Sequence, residues 1–156
     1  MIEVQELTKT FGPTRAVDGV SFRVKSGEIL GFLGPNGAGK TTTMRVITCF
    51  LPPTAGSVQV DGLDVVGRSL EVRQKIGYLP ENAPLYLDMN VVDYLRFIAA
   101  VRRVPAAQVR DKVRRAVEVC GLETVIQKSV GQLSSGYRQR VGLAQAILHD
   151  PEILVL

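Results

Sequence analysis

Gly34-Pro35-Asn36-Gly37-Ala38-Gly39-Lys40-Thr41 follows directly on the apolar run Ile29-Leu30-Gly31-Phe32-Leu33 and spells G-x-x-x-x-G-K-[ST]. A strand, a glycine-rich bend and a helix starting near Lys40 form a cradle for a polyphosphate. Glycines at 34, 37 and 39 let backbone N–H groups come close to phosphate oxygens, with Pro35, Asn36 and Ala38 completing the loop around them. The helix start adds open N–H groups and the positive end of its dipole. Lys40 is expected to reach the β- and γ-phosphates, and the Thr41 hydroxyl to hold Mg²⁺. Thr42 is a β-branched residue in a first helical turn, a poor choice on propensity, and is read as a further phosphate contact.

Working outward, residues 16–24 read as a strand with Val20, Phe22 and Val24 facing inward, preceded by a turn over 9–14 and a first strand over 1–7. The run 29–33 is apolar almost without break, as a strand covered on both faces of a parallel sheet should be. A helix is expected over 41–51, ended by Pro52-Pro53. Strands over 57–61 and 63–66, separated by Gly62, predict an antiparallel β edge. Next come a short helix over 69–75, a buried strand over 76–79 and a breaker-rich loop, Pro80-Glu81-Asn82-Ala83-Pro84.

Asn90 is placed to cap a helix running to Val101, with Val91, Leu95, Ile98 and Ala99 on one face. Pro105 breaks it. A second amphipathic helix, 108–120, carries Val109, Val113, Ala116, Val117 and Cys120 as its stripe, with Arg110, Lys112, Arg114 and Arg115 outside and Gly121 as its stop. A last helix over 135–148 and the apolar strand 153–156 flank His149-Asp150-Pro151, where His149 is read as a helix-terminal surface group.

The chain is long enough to bury a core, with 156 residues, 46% of them hydrophobic and 22% charged. Its formal net charge of +4 suits nucleic acid, an anionic membrane surface or nucleotide phosphate, and decides nothing alone. Cys49 and Cys120, far apart in apolar helical surroundings, are expected to be reduced, buried thiols as in a cytosolic protein, without zinc or disulfide. The N-terminus has neither a basic n-region nor an apolar h-region, and no stretch approaches the length needed to cross a bilayer. The chain is therefore expected neither to enter nor to span a membrane by itself.

About a hundred residues after the phosphate loop, Leu133-Ser134-Ser135-Gly136-Tyr137-Arg138-Gln139-Arg140 resembles the signature motif of ABC-transporter ATPase subunits. With Phe11-Gly12, the phosphate loop (the Walker A motif), Ile76-Gly77-Tyr78-Leu79-Pro80 and the segment from Val141 to Leu156, the similarity covers essentially the whole chain in order. It implies an α/β fold: a P-loop NTPase core with a parallel sheet, an antiparallel β edge and an inserted helical subdomain. One domain is expected, with 1–84 and 143–156 as nucleotide-binding core and 85–142 as helical subdomain.

The resemblance makes Phe11 a stacking platform for adenine and turns Ser134 and Gly136 toward the γ-phosphate of a nucleotide held by a second such subunit. A hydroxyl and bare N–H groups at a helix start suit an anion, although Ser134 as a plain helix cap remains an open alternative, as does Phe11 as a core residue. Glu81 stands where most members carry a Gln that touches Mg²⁺ and the attacking water; a carboxylate keeps an oxygen for the metal and adds a charge near the phosphates. Lys40 and Glu81 are thus the candidate catalytic residues, and Thr41 and Glu81 the candidate metal ligands. The Pro-Glu-Asn loop and Tyr137 resemble a branch of bacterial exporters that includes drug-resistance and gliding-motility ATPases.

The implied function is the ATP-binding subunit of an ABC exporter. It would use ATP and Mg²⁺ and have as partners a transmembrane permease subunit and a second nucleotide-binding subunit. No nucleic acid is expected, and the chain would sit peripherally on the inner face of the cell membrane. The family's next Asp and Glu would follow residue 156, so these residues alone are expected to bind nucleotide better than they hydrolyse it and to show an unpaired sheet edge. Two alternatives stay open: a soluble ABC-type ATPase acting on nucleic acid or ribosomes through its arginines, and a non-hydrolysing nucleotide-binding fragment.

Overall fold

Alternation at the N-terminus buries Ile2 and Val4 and turns Glu3 and Gln5 to the other face, the side-chain pattern of a sheet covered on one side. The computed structural model describes residues 1–156, which divide into two compact units, Met1–Arg73 and Gln74–Leu156.

In the first unit, strand β1 (Ile2–Phe11) pairs with β2 (Thr14–Val24) on one side and with β3 (Ala55–Val60) on the other. β4 (Leu63–Asp64) closes the β2-β1-β3-β4 order, so the expected antiparallel edge is present. The expected 9–14 turn shrinks to Gly12-Pro13, because Lys9, Thr10 and Phe11 find ladder partners in Val17, Arg15 and Thr14. Helix α1 (Lys40–Ile47) packs on β2 and β3, burying Thr43, Val46 and Ile47. It ends well before the expected Leu51. Cys49 turns left-handed at φ 61°, and Phe50 N donates to Arg45 O at 2.8 Å and Cys49 N to Val46 O at 3.0 Å, a Schellman closure with cysteine in glycine's usual place.

Residues 29–33 depart from expectation most. They are not a strand, since no segment of the chain hydrogen-bonds to them, and Ile29 and Leu33 are each 98% exposed. Phe32 alone is tied down, edge-on to Phe22 at 5.1 Å between ring centres. The apolar pattern of a doubly covered strand is there, but a strand exists only through its ladder.

Helix α2 (Ser69–Lys75) runs across the boundary between the units. In the second unit, β5 (Ile76–Tyr78) and β6 (Ile153–Val155) pair in parallel, Ile76 opposite Ile153 and Tyr78 opposite Val155. Three helices, α3 (Val91–Val101), α4 (Ala106–Cys120) and α5 (Ser135–Ile147), surround a core that includes Tyr94, Leu95, Ala99, Val117, Val141 and Leu148. The caps read from sequence hold: Asn90 accepts from Asp93 N at 2.9 Å, and Gly121 closes α4 in a left-handed conformation. Helix α4 starts two residues earlier than expected, at Ala106, with Pro105 as its N-cap residue, whose carbonyl accepts from Gln108 N at 2.8 Å. The buried Tyr94 hydroxyl bonds to Gln145, and burial pushes its pKa up to about 12.

His149 is not the surface group its position suggested. Both ring nitrogens are buried and neither has a hydrogen-bond partner. Burial first, then the nearby Arg102 and Lys112 charges, lower its pKa to about 4, and the Ile76 main chain and Asp150 oppose this without bonding to either nitrogen. The unfolded chain, with an ordinary imidazole near 6.5, therefore binds the proton that the folded chain refuses between these values. Stability should be full above pH 6.5 and fall as the pH drops toward 4. We expect the melting temperature to decline by a few degrees from pH 6.5 to 5.0 and the decline to flatten in His149→Leu; parallel curves for the two proteins would contradict this assignment.

Candidate nucleotide site

The phosphate loop belongs to the first unit and is built on β2. Gly39 is the N-cap of α1 at φ 84°, and a Cβ there would lie 2.4 Å from Ala16 O and 3.1 Å from a Val17 methyl. Only glycine satisfies both the backbone angle and that approach, so the start of α1 is pressed onto the strand. As N-cap it brings no side-chain acceptor. The first α1 amides are therefore open, the first helical bond being Thr43 N to Gly39 O at 2.8 Å.

Upstream, Ala38 N donates to Pro35 O at 3.2 Å and tightens the bend around Asn36 and Gly37. The Lys40 ammonium folds back across the bend, donating to Gly34 O at 2.5 Å and Pro35 O at 2.7 Å. It thereby occupies two of the loop's carbonyl oxygens, while the α1 amides and the ammonium charge remain to face a ligand. Thr41 is exposed at the helix start and Thr42 half-buried, whereas Thr43 is buried as a packing residue. Uncapped amides, an ammonium with N–H capacity to spare and a free hydroxyl fit a triphosphate with its divalent cation.

Phe11 closes β1, is 48% exposed, and sits opposite Thr14. Ala16, whose carbonyl meets Gly39, lies two residues along β2 from Thr14, about 7 Å of strand. The hairpin thus brings an open aromatic ring and the phosphate loop to one end of the first unit. Sequence reading passed over Lys9, whose Nζ lies 5.3 Å from the centre of the Phe11 ring. The alternation of β1 was the available signal, since it puts residues 9 and 11 on one face.

Glu81, Ser134 and Gly136 lie in the second unit. Glu81 is exposed in the loop after β5, and its carboxylate makes no bond within the chain. Ser134 is the N-cap of α5, accepting from Tyr137 N at 3.4 Å, a long bond that holds the hydroxyl loosely. Gly136 is exposed, with nothing within 4 Å of where a Cβ would stand. The α4 arginines are largely occupied by neighbours: Arg114 by Asp111 and Glu118, and Arg115 together with Lys112 by Asp150.

The profile of one family, described as ABC transporter, matches residues 17–156. The chain is 40% identical over its full length to the probable multidrug ABC transporter ATP-binding protein YbhF of Escherichia coli, covering 27% of that protein. It is 36% identical to the bacitracin transport ATP-binding protein BcrA of Bacillus licheniformis, covering 50% of it. The chain thus spans half or less of the length of these curated relatives. Among solved structures, an ATP-binding subunit of an ABC transporter superposes with a TM-score of 0.89 at 25% identity, over 99% of this chain and 64% of that one. The dimeric bacterial ABC transporter cassette MJ0796 gives 0.88 at 26% identity, over 99% and 72%. The glycine-capped phosphate loop and the antiparallel sheet of the first unit, and the parallel pair of strands and the helices of the second, all agree with these matches, and the chain belongs to the ABC transporter family.

Proposed function

We propose that this chain binds Mg-ATP and belongs to an ATP-binding subunit that couples binding and hydrolysis of ATP to export through a separate membrane subunit. The observation that carries this reading is the uncapped start of α1, with Lys40 folded over the loop and Phe11 at the same end of the unit. Bound there, the divalent cation would neutralise phosphate charge, with Thr41 and Glu81 as its protein ligands. Lys40 and the α1 amides hold the β- and γ-phosphates, Thr42 adds a contact, and Phe11 takes the base by stacking. Glu81 would bring its carboxylate to the metal and the attacking water, the place a Gln takes in most members of the family.

Ser134 and Gly136 serve the nucleotide of a second such subunit, so two sites form between two chains. Relatives named for multidrug transport, bacitracin transport and Nod factor export support export, and the dimeric MJ0796 cassette supports pairing. Within the domain, residues 85–142 act as the helical subdomain and 1–84 with 143–156 as the nucleotide-binding core. No helix is long and apolar enough to cross a membrane, and the subunit is placed at the inner face of the membrane through its permease partner. A nucleic-acid role is disfavoured by the pairing of Lys112, Arg114 and Arg115 with carboxylates of the chain itself.

Calorimetric titration with magnesium and ATP, ADP or AMP tests the reading. Affinity should fall steeply from ATP and ADP to AMP, because the loop grips the phosphates beyond the first. Equal affinity for all three would overturn the assignment of the loop.

A further inference from the structure

The Phe11 ring is not a free-standing platform. Lys9 lies two residues before it on the same face of β1, with its ammonium 5.3 Å from the ring centre, inside the range of a cation–π attraction. That ammonium also donates to Pro52 O at 2.8 Å. The carbonyl it grips is itself fixed: two residues on, Thr54 N donates to Thr8 O at 2.8 Å and the Thr54 hydroxyl accepts from Thr10 N at 3.1 Å. Pro52 follows the Schellman turn of α1, the helix whose other end is the phosphate loop. Lys9 therefore ties the ring to the segment that leaves the phosphate helix.

We propose that Lys9 is a positioning residue for the base: its ammonium, held by the Pro52 carbonyl, covers one face of Phe11 so that a nucleotide base stacks on the other. A cation on one face draws the ring's π electrons toward itself. The opposite face is left less negative and better matched to an electron-rich purine. Anchoring also fixes the ring's rotamer before the base arrives, which lowers the ordering cost of binding. The inference rests on the reading of Phe11 as the base platform.

The experiment is a cycle of Lys9→Met, Phe11→Ala and the double variant, titrated calorimetrically with Mg-ATP and with magnesium tripolyphosphate, which has phosphates and no base. Methionine keeps the length and packing of the stem without the charge. We expect Lys9→Met to weaken ATP about two- to fivefold, to leave tripolyphosphate unchanged, and to add nothing once Phe11 is alanine; Lys9→Arg should restore most of the affinity. An effect of Lys9→Met that persists in the Phe11→Ala background, or that appears equally with tripolyphosphate, would overturn the proposal in favour of a direct phosphate contact. So would unchanged ATP affinity in Lys9→Met while Phe11→Ala weakens it. If Phe11→Ala itself leaves ATP affinity untouched, the base-platform reading fails, and this inference falls with it.

Discussion

Replacing Lys40 with alanine is expected to weaken Mg-ATP binding by about 100-fold or more while the protein stays folded. A hydrogen bond to a charged group contributes about 1.5–3 kcal/mol, and one ammonium shared between two phosphates makes two of them in a site that offers few other cations. Stability should change little. The bonds from Lys40 to Gly34 O and Pro35 O end on an exposed bend, where water can replace the donor at once. The melting temperature should therefore stay within a few degrees of the parent while titration heats collapse. Lys40→Met, which keeps the stem, should behave like alanine, because charge and not packing does the binding. An ATP affinity within threefold of the parent for both variants would remove the loop from the site.

Gly77→Ala should have the opposite profile, a large loss of stability from a single methyl group. A Cβ at residue 77 would lie 2.2 Å from Ala146 O, 2.8 Å from a Leu154 methyl and 2.8 Å from Pro151 Cγ. Two of these neighbours could shift only by moving backbone or a proline ring. Strand β5 runs against α5 here and pairs with β6, opposite Leu154, so relief of the clash must separate the helix from the sheet or break the parallel ladder. Overpacking of this kind costs about 1–3 kcal/mol and occasionally more, and the backbone contact argues for the upper end. For a chain of this size that is a fall of roughly 6–12 °C in melting temperature. Urea unfolding of the Gly77→Ala protein checks it, and a midpoint equal to the parent's would mean that α5 does not press on β5 as described.

These two residues divide what could be read from the sequence. Lys40 announces itself: a lysine directly after the last glycine of a G-x-x-x-x-G-K-[ST] run is marked as a phosphate candidate by spacing alone, and α1 begins at it. The caps at Asn90 and Gly121 and the buried stripe of α4 were legible for the same reason, each being a short-range pattern of a few neighbouring residues. Gly77, by contrast, looks like any glycine in an apolar strand. Its necessity comes from Ala146, Pro151 and Leu154, dozens of residues away. His149 is alike, since helix-end position says nothing about what packs over the nitrogens of an imidazole.

By itself, the sequence determined the phosphate loop, the family and nearly every helix, because spacing, caps and periodicity act through neighbours along the chain. Only the tertiary structure decided that 29–33 has no ladder partner, that Gly39 is pressed onto Ala16, that the ring nitrogens of His149 are buried without a partner, and that Lys9 lies over Phe11. Each of these depends on which distant segment comes to lie beside a residue, and hydrogen-bond pairing, close contact and burial are properties of such meetings and not of local sequence.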